Sequence, residues 1–183
     1  MTLLKSTQQL KPGDSAPDFN LKGTDEAMHT LKDLKGKKAT LIIFMCNHCP
    51  YVITKFAVIK DLADKFKDKG VNLIAINPND NPNYQDDSFE NMQKIAEQEG
   101  FDFPYLIDST QEVAKAYDAV CTPDPYLFDK DLKLIWHGRL NDAMSPDDNA
   151  NENTMEEVIN EFLESGKVSK EFLPSQGCSI KWR

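Results

Sequence analysis

The chain has 183 residues, 40% of them hydrophobic and 28% charged, with 8 Gly and 10 Pro; this excludes collagen-like, low-complexity and mostly disordered chains and suits about one domain. Thirty acidic residues against 21 basic ones leave a net charge of −9, which repels phosphate backbones and anionic lipid and argues against nucleic acid and the membrane surface as partners. The longest apolar run, residues 39–45, is far short of the ~20 residues of a membrane-spanning helix. The first ten residues lack the apolar core of a secretory signal, so a cytoplasmic location is expected.

In chain order, residues 11–17 are loop chemistry rich in Pro, Gly and Asp, followed by a short alternating strand, Asp18-Phe19-Asn20-Leu21. Residues 28–31 are its expected hairpin partner. Residues 39–45 are almost continuously apolar, as a strand buried on both faces requires. Val52, Ile53, Phe56, Ile59, Leu62, Ala63 and Phe66 recur at helical spacing and predict one helix that stops at Gly70. A second buried strand at 71–77 completes a β-α-β unit, whose crossover is expected to be right-handed. A loop rich in Asn, Asp and Pro runs over 77–87, a helix over about 88–99, and a short strand over 104–108. Ser109 and Glu112 read as a capping box for a short helix. Residues 126–128 and 132–136 flank Asp129-Lys130-Asp131 as an antiparallel hairpin. Thr154 and Glu157 read as the capping box of a last helix that ends at Gly166. The remainder has little periodicity. The expected fold is α/β, a single domain over 1–183 with an N-terminal β-hairpin, one mixed central sheet, helices on both faces and a C-terminal tail from about 167.

Four cysteines, Cys46, Cys49, Cys121 and Cys178, are far fewer than a disulfide scaffold uses. Two of them form Cys46-Asn47-His48-Cys49, between a buried strand and a helix. A thiolate at a helix N-terminus meets unpaired N–H groups and the positive end of the helix dipole, which lower its pKa. Pro50 fits the first helical turn. Two intervening residues let the sulfurs meet on one turn, at the Cα separation that a disulfide needs. Cys46, nearer the expected exposed tip, is the candidate nucleophile, and Cys49 is the candidate resolving thiol. Asn47 and His48 are candidates for tuning the thiol: an imidazolium beside Cys46 stabilises its thiolate. The alternatives are two structural buried thiols, coincidence, or a zinc site; the last lacks a second Cys or His pair at ligand spacing.

The chain resembles the thioredoxin-fold superfamily, and most closely its redoxin branch of thioredoxin-like and peroxiredoxin-like (AhpC/TSA-type) proteins. The resemblance is carried by Pro12-Gly13-Asp14-x-Ala16-Pro17-x-Phe19-x-Leu21, by the strand–Cys46-x-x-Cys49–helix unit, and by Thr122-Pro123, whose proline stands 77 residues after Cys46. The ending Gly177-Cys178-Ser179-Ile180-Lys181-Trp182 is similar to that of one subgroup of these redoxins. The resemblance implies a thioredoxin-like fold with a cis-proline at Pro123 facing the cysteine pair. It also implies that the backbone of Thr122 is open to an extended substrate segment, as in strand addition. No organic cofactor is implied. The chain departs from the family in having Met45 where thioredoxins have Trp, and in lacking an acid within 39–45 to relay a proton. It also lacks the Pro and Thr that precede a peroxidatic cysteine.

Cys121, beside the Thr122-Pro123 loop, and Cys178 in the tail are candidate third redox thiols; the plainer readings are a small buried hydrophobe and a silent docked residue. His137 reads as a surface residue at a strand end, and His29 as a hairpin residue. The acidic run 142–157 lacks calcium-loop spacing. The function expected is thiol-disulfide exchange through Cys46 and Cys49 on protein or small-thiol substrates, with no metal. Electrons would pass to or from partner thiols such as a thioredoxin or glutathione system. The rivals are a thiol peroxidase and a metal-binding module without turnover.

Overall fold

The computed structural model describes residues 2–183. Ten strands and six helices follow in the order β1 (Leu3–Lys5), β2 (Asn20–Gly23), β3 (Met28–Thr30), α1 (Leu31–Leu34), β4 (Ala39–Phe44), α2 (Pro50–Ile53), α3 (Phe56–Lys67), β5 (Val71–Asn77), α4 (Phe89–Glu99), β6 (Tyr105–Ile107), α5 (Glu112–Ala116), β7 (Cys121–Thr122), β8 (Asp124–Asp129), β9 (Leu134–His137), α6 (Thr154–Ser165) and β10 (Gln176–Ser179). The main sheet has the order β3-β2-β6-β5-β4-β8-β9, with β4 parallel to β5 and antiparallel to β8. The sheet is mixed, as expected, with the hairpin of β2 and β3 at one edge.

Alternation along β4 divides the core. Leu41, Ile43 and Met45 face one layer with Val52, Ile59, Phe66, Met92 and Ile159, so α2, α3, α4 and α6 cover that side. Ile42 and Phe44 face the other with Leu31, Ala114 and Tyr117, from α1 and the α5 segment. Every residue of β4 is buried, and full burial of a side chain such as Ile42 contributes roughly 1.5–3 kcal/mol. The strand is thereby held rigid up to the point where the cysteine pair begins.

Several local expectations are corrected. The single helix predicted after the pair is two, α2 and α3, because Lys55 between them turns inward. Its Nζ donates to Asn141 Oδ1 at 2.5 Å and to Ala143 O at 3.0 Å, and Ile53 is left exposed. Ser109 does not cap α5; Gln111 precedes that helix in a left-handed conformation, and Asp108 accepts from the Ala114 amide instead. Thr154 is the first residue of α6 rather than its cap, and its hydroxyl donates to Glu152. Ser88 does cap α4, and Gly100 closes that helix with a φ of +65°, where a side chain is strained.

The C-terminal segment, read as a tail, contributes a strand. Gln176–Ser179 lies between β1 and β7 in a second, three-stranded antiparallel sheet. His137 is likewise not a surface residue. It is fully buried, its Nε2 is 2.7 Å from Asp124 Oδ1, and its ring stacks on Tyr126. A histidine at a strand end reads as exposed only while the acid that pairs with it, 13 residues away, is unseen.

Candidate active site

The chain leaves β4 at Phe44 and reaches Cys46 through Met45, whose amide donates to Ile76 O. Cys49 is the N-cap of α2, with Pro50 in its first turn. Opposite them lies the Thr122–Pro123 peptide bond, which is cis. Cys46 Sγ is 3.1 Å from Thr122 Oγ1, and the Cys49 thiol points at Thr122 O across 3.5 Å. The structure therefore brings Cys46, Cys49 and the Thr122–Pro123 peptide together, the juxtaposition that the family resemblance implies.

Two expectations about the pair do not hold. Cys46 is not at an exposed tip: both sulfurs belong to side chains of 0% exposure. Nor is Cys46 the favoured thiolate. Burial pushes its thiol well up, helped by the hydrogen bond with Cys49 and by the carboxylate of Asp87. The Cys49 thiol is held at about 5, first by the hydrogen bond from Cys46. Further hydrogen bonds reach the Cys49 sulfur from Cys178 and from the amides of Cys178 and Tyr51.

Asn47 and His48 are anchored by a residue that the sequence did not single out. Asp87 is fully buried. It accepts from the Asn47 amide at 2.6 Å and from Asn77 Nδ2 at 3.3 Å, and its other oxygen pairs with His48 Nδ1. A carboxylate can only accept, so His48 carries its proton on Nδ1. Asn47 Oδ1 in turn accepts from the buried Tyr105 hydroxyl at 2.8 Å, and the His48 ring packs against Tyr84, with centroids 5.1 Å apart. The signal that could have found Asp87 is topological. The loop ending at Asp87 follows β5, which is parallel to β4, and the loops at the carboxyl ends of neighbouring parallel strands build sites together.

Ligand atoms of Cys46, His48 and Asp87 all lie within 4.8 Å of one another, and among the described residues these three could hold a metal ion. Of the two candidate third thiols, Cys178 is the one in contact with the pair: its Sγ is 2.6 Å from Cys49 Sγ. Cys121 is buried on β7, and burial, Asp124 and the neighbouring sulfurs push its thiol far up. His29 stays in the hairpin, beside Asp25. The strand-addition edge at Thr122 is already used, since Cys178 and Ser179 of β10 pair with Thr122 and Cys121.

The family model of the AhpC/TSA family matches residues 12–137, a span that holds Cys46, Cys49, Thr122, Pro123 and Asp87. The chain belongs to the AhpC/TSA family. A curated relative, the thiol-disulfide oxidoreductase ResA of Bacillus thuringiensis subsp. konkukian, is 30% identical over 128 residues, which cover 70% of this chain and 69% of that one. An uncharacterized conserved protein from Geobacillus kaustophilus, solved by crystallography, is 44% identical with a TM-score of 0.94, over 100% of this chain and 97% of that one. A Chlorobium tepidum chain described as a thiol:disulfide interchange protein is 23% identical with a TM-score of 0.61, over 70% and 85% of the two chains, and shares the fold. This AhpC/TSA-family chain has the thioredoxin-like fold and is an oxidoreductase of the thiol-disulfide class, whose redox partners are thiols. Among the described residues no helix is long and apolar enough to cross a membrane.

Proposed function

We propose that this protein exchanges thiols and disulfides through Cys46 and Cys49, with Cys46 attacking and Cys49 resolving. The observation that supports this most is the seating of both sulfurs on Thr122, 3.1 and 3.5 Å from its hydroxyl and carbonyl oxygens. As Cys46 attacks one sulfur of a substrate disulfide, its proton passes to the Cys49 thiolate, and the other substrate sulfur leaves as a thiolate. Cys49 then gives its proton to that leaving group and attacks the Cys46 sulfur of the mixed disulfide. The second substrate thiolate is expelled and the Cys46–Cys49 disulfide remains. Asp87, whose carboxylate lies within 4.8 Å of the Cys46 sulfur, is the positioning residue for the Asn47-His48 turn. Substrates are disulfides of proteins or small thiols, and electrons come from or go to a thioredoxin or glutathione system. A cytoplasmic location is part of the same proposal, on the sparse use of cysteine.

The test is trapping. With a disulfide-bonded peptide, Cys49→Ser is expected to accumulate a mixed disulfide at Cys46, and Cys46→Ser to accumulate none. Adducts at Cys49 alone, or rapid peroxide consumption with the peptide untouched, would replace the reading, the latter with a peroxidase. A reduction potential near −270 mV marks a reductase, and one near −120 to −180 mV an oxidant or isomerase. One observation favours a second reading, a metal-binding module. His48 Nε2 is buried and makes no hydrogen bond among the described residues, and His48 offers a ring nitrogen within 4.8 Å of the Cys46 sulfur. Stoichiometric metal after gentle purification, lost in Cys46→Ser, would support that reading.

A further inference from the structure

We propose that Cys178 is a third redox-active thiol of this site, and that the last strand is an internal redox partner whose cysteine forms a disulfide with Cys49. The proposal rests on the Cys46–Cys49 chemistry above and extends it.

Three independent features place Cys178 there. The first is proximity: the Cys49 and Cys178 sulfurs are 2.6 Å apart, and the Cys178 side chain is only 2% exposed. The second is the strand itself. Cys178 pairs with Thr122, the residue that precedes the cis-proline, so β10 runs along the edge where strand addition would seat an extended substrate. The chain's own cysteine thus sits where a substrate's would be presented. The third is Gly177. A Cβ there would stand 1.8 Å from Thr122 O and 2.7 Å from Thr122 C. Only the missing side chain lets the strand lie this close to the backbone beneath Cys49.

The segment after Cys178 is tied down on both sides. Ser179 N donates to Thr2 O at 2.8 Å and Ile180 N to Val120 O at 3.0 Å. Lys181 N donates to Asn79 Oδ1, Gln111 Nε2 donates to Lys181 O, and Arg183 N donates to Gln111 Oε1, each at 2.9 Å. The juxtaposition of sulfurs is therefore built by backbone pairing and buried side-chain amides, not by a tail that happens to rest there.

The exchange conserves atoms and electrons. Starting from the Cys46–Cys49 disulfide, the Cys178 sulfur gives up its proton and attacks Cys49 Sγ. The Cys46–Cys49 bond breaks, and Cys46 leaves with the electron pair and takes up a proton. The product is a Cys49–Cys178 disulfide and a Cys46 thiol, with no external oxidant consumed. Cys46 is returned to its reduced state while the protein still stores one disulfide. The site then holds two interchangeable linkages about one central sulfur.

The test uses the full chain. Cys46→Ser carries three cysteines, so three thiols are expected to react with maleimide in denaturant. After oxidised glutathione treatment and removal of the reagent, the expected number is one, and peptide mapping should find Cys49 joined to Cys178. The wild-type chain, oxidised with less than one equivalent, is expected to yield both Cys46–Cys49 and Cys49–Cys178 linked peptides, so the result does not hang on one variant folding. Cys178→Ser should retain only the Cys46–Cys49 linkage. If the wild type gives Cys46–Cys49 alone and oxidised Cys46→Ser never links Cys49 to Cys178, the third-thiol proposal is overturned while the parent reading survives. If the wild type yields neither linkage, both fall.

Discussion

Replacing Gly177 with Ala tests the contact on which the site's second wall depends. The new Cβ would meet the carbonyl oxygen of Thr122 at 1.8 Å and its carbon at 2.7 Å, with Pro123 Cδ at 3.3 Å. Ordinary van der Waals contact begins near 3.4 Å, so the oxygen and the Cβ must part by about 1.6 Å, the difference between 3.4 and 1.8. Neither side yields cheaply. Thr122 is fully buried, and β10 is held by pairing with β1. Overpacking of this kind costs about 1–3 kcal/mol. In a domain of this size that corresponds to a fall in Tm of roughly 2–12 °C. Urea unfolding of the reduced protein measures the loss. Maleimide labelling under native conditions measures the displacement, since a strand pushed off Thr122 exposes Cys178. A Gly177→Ala chain that unfolds within about 0.5 kcal/mol of the parent, with Cys178 labelled no faster, would show that β10 is not packed on the Thr122 backbone as described.

Other consequences can be checked independently. Asp124→Ala leaves His137 buried without its hydrogen-bond partner and removes an acceptor of the Tyr126 hydroxyl, so equilibrium unfolding should show a loss of about 1–3 kcal/mol; a loss below about 0.5 kcal/mol would mean that the pair is not buried. In the reduced protein, ultraviolet thiolate absorbance should appear with a midpoint of about 5. It should vanish in Cys49→Ser and persist in Cys46→Ser, whose hydroxyl can still donate; a single rise near the ordinary thiol value of 9.0 in all three would refute the assignment of the thiolate. The Asp142 carboxyl is held below its ordinary 3.8 by hydrogen bonds from the amides of Glu152 and Asn151. Its stabilising contribution is therefore present above 3.8 and is lost as the pH falls through its lower folded value. Thermal midpoints of the parent and Asp142→Ala should differ near neutral pH and converge in acid; a gap that does not change with pH would contradict this.

What was readable in advance was what repeats locally. The apolar run of β4, the helical spacing of α3 and α4, and the β8–β9 hairpin each carry their own signal within a short stretch of chain. The cysteine pair was readable because two sulfurs at that spacing, after a buried strand, restrict the chemistry before any partner is known. Asp87 was not, since an acid in a loop of Asn, Asp and Pro carries no mark until β5 places it under the Asn47 amide. His137 and β10 were missed for the same reason. Their partners, Asp124 for one and β1 and β7 for the other, are distant in sequence or, for the two-residue β7, too short to show a period. Capping failed where a short box met a better-placed acceptor: the Glu112 amide, which a Ser109 cap would take, donates to Thr110 Oγ1.

The position of β10 changes how the cis-proline loop has to be understood. In strand addition, affinity comes from main-chain hydrogen bonds to an open edge. Here the edge at Cys121 and Thr122 is filled by residues of the same chain, and an intramolecular strand competes at an effective concentration in the millimolar range or above. A dilute substrate strand cannot displace it on backbone pairing alone, and Cys46 and Cys49 are both fully buried. Two resolutions are open to such a site: β10 moves aside, or it takes part. The proposal that Cys178 is a redox thiol, built on its 2.6 Å approach to Cys49, is the second. A strand whose only duty was to block the edge has no need of a cysteine directed at Cys49, nor of a glycine that lets it lie this close to Thr122.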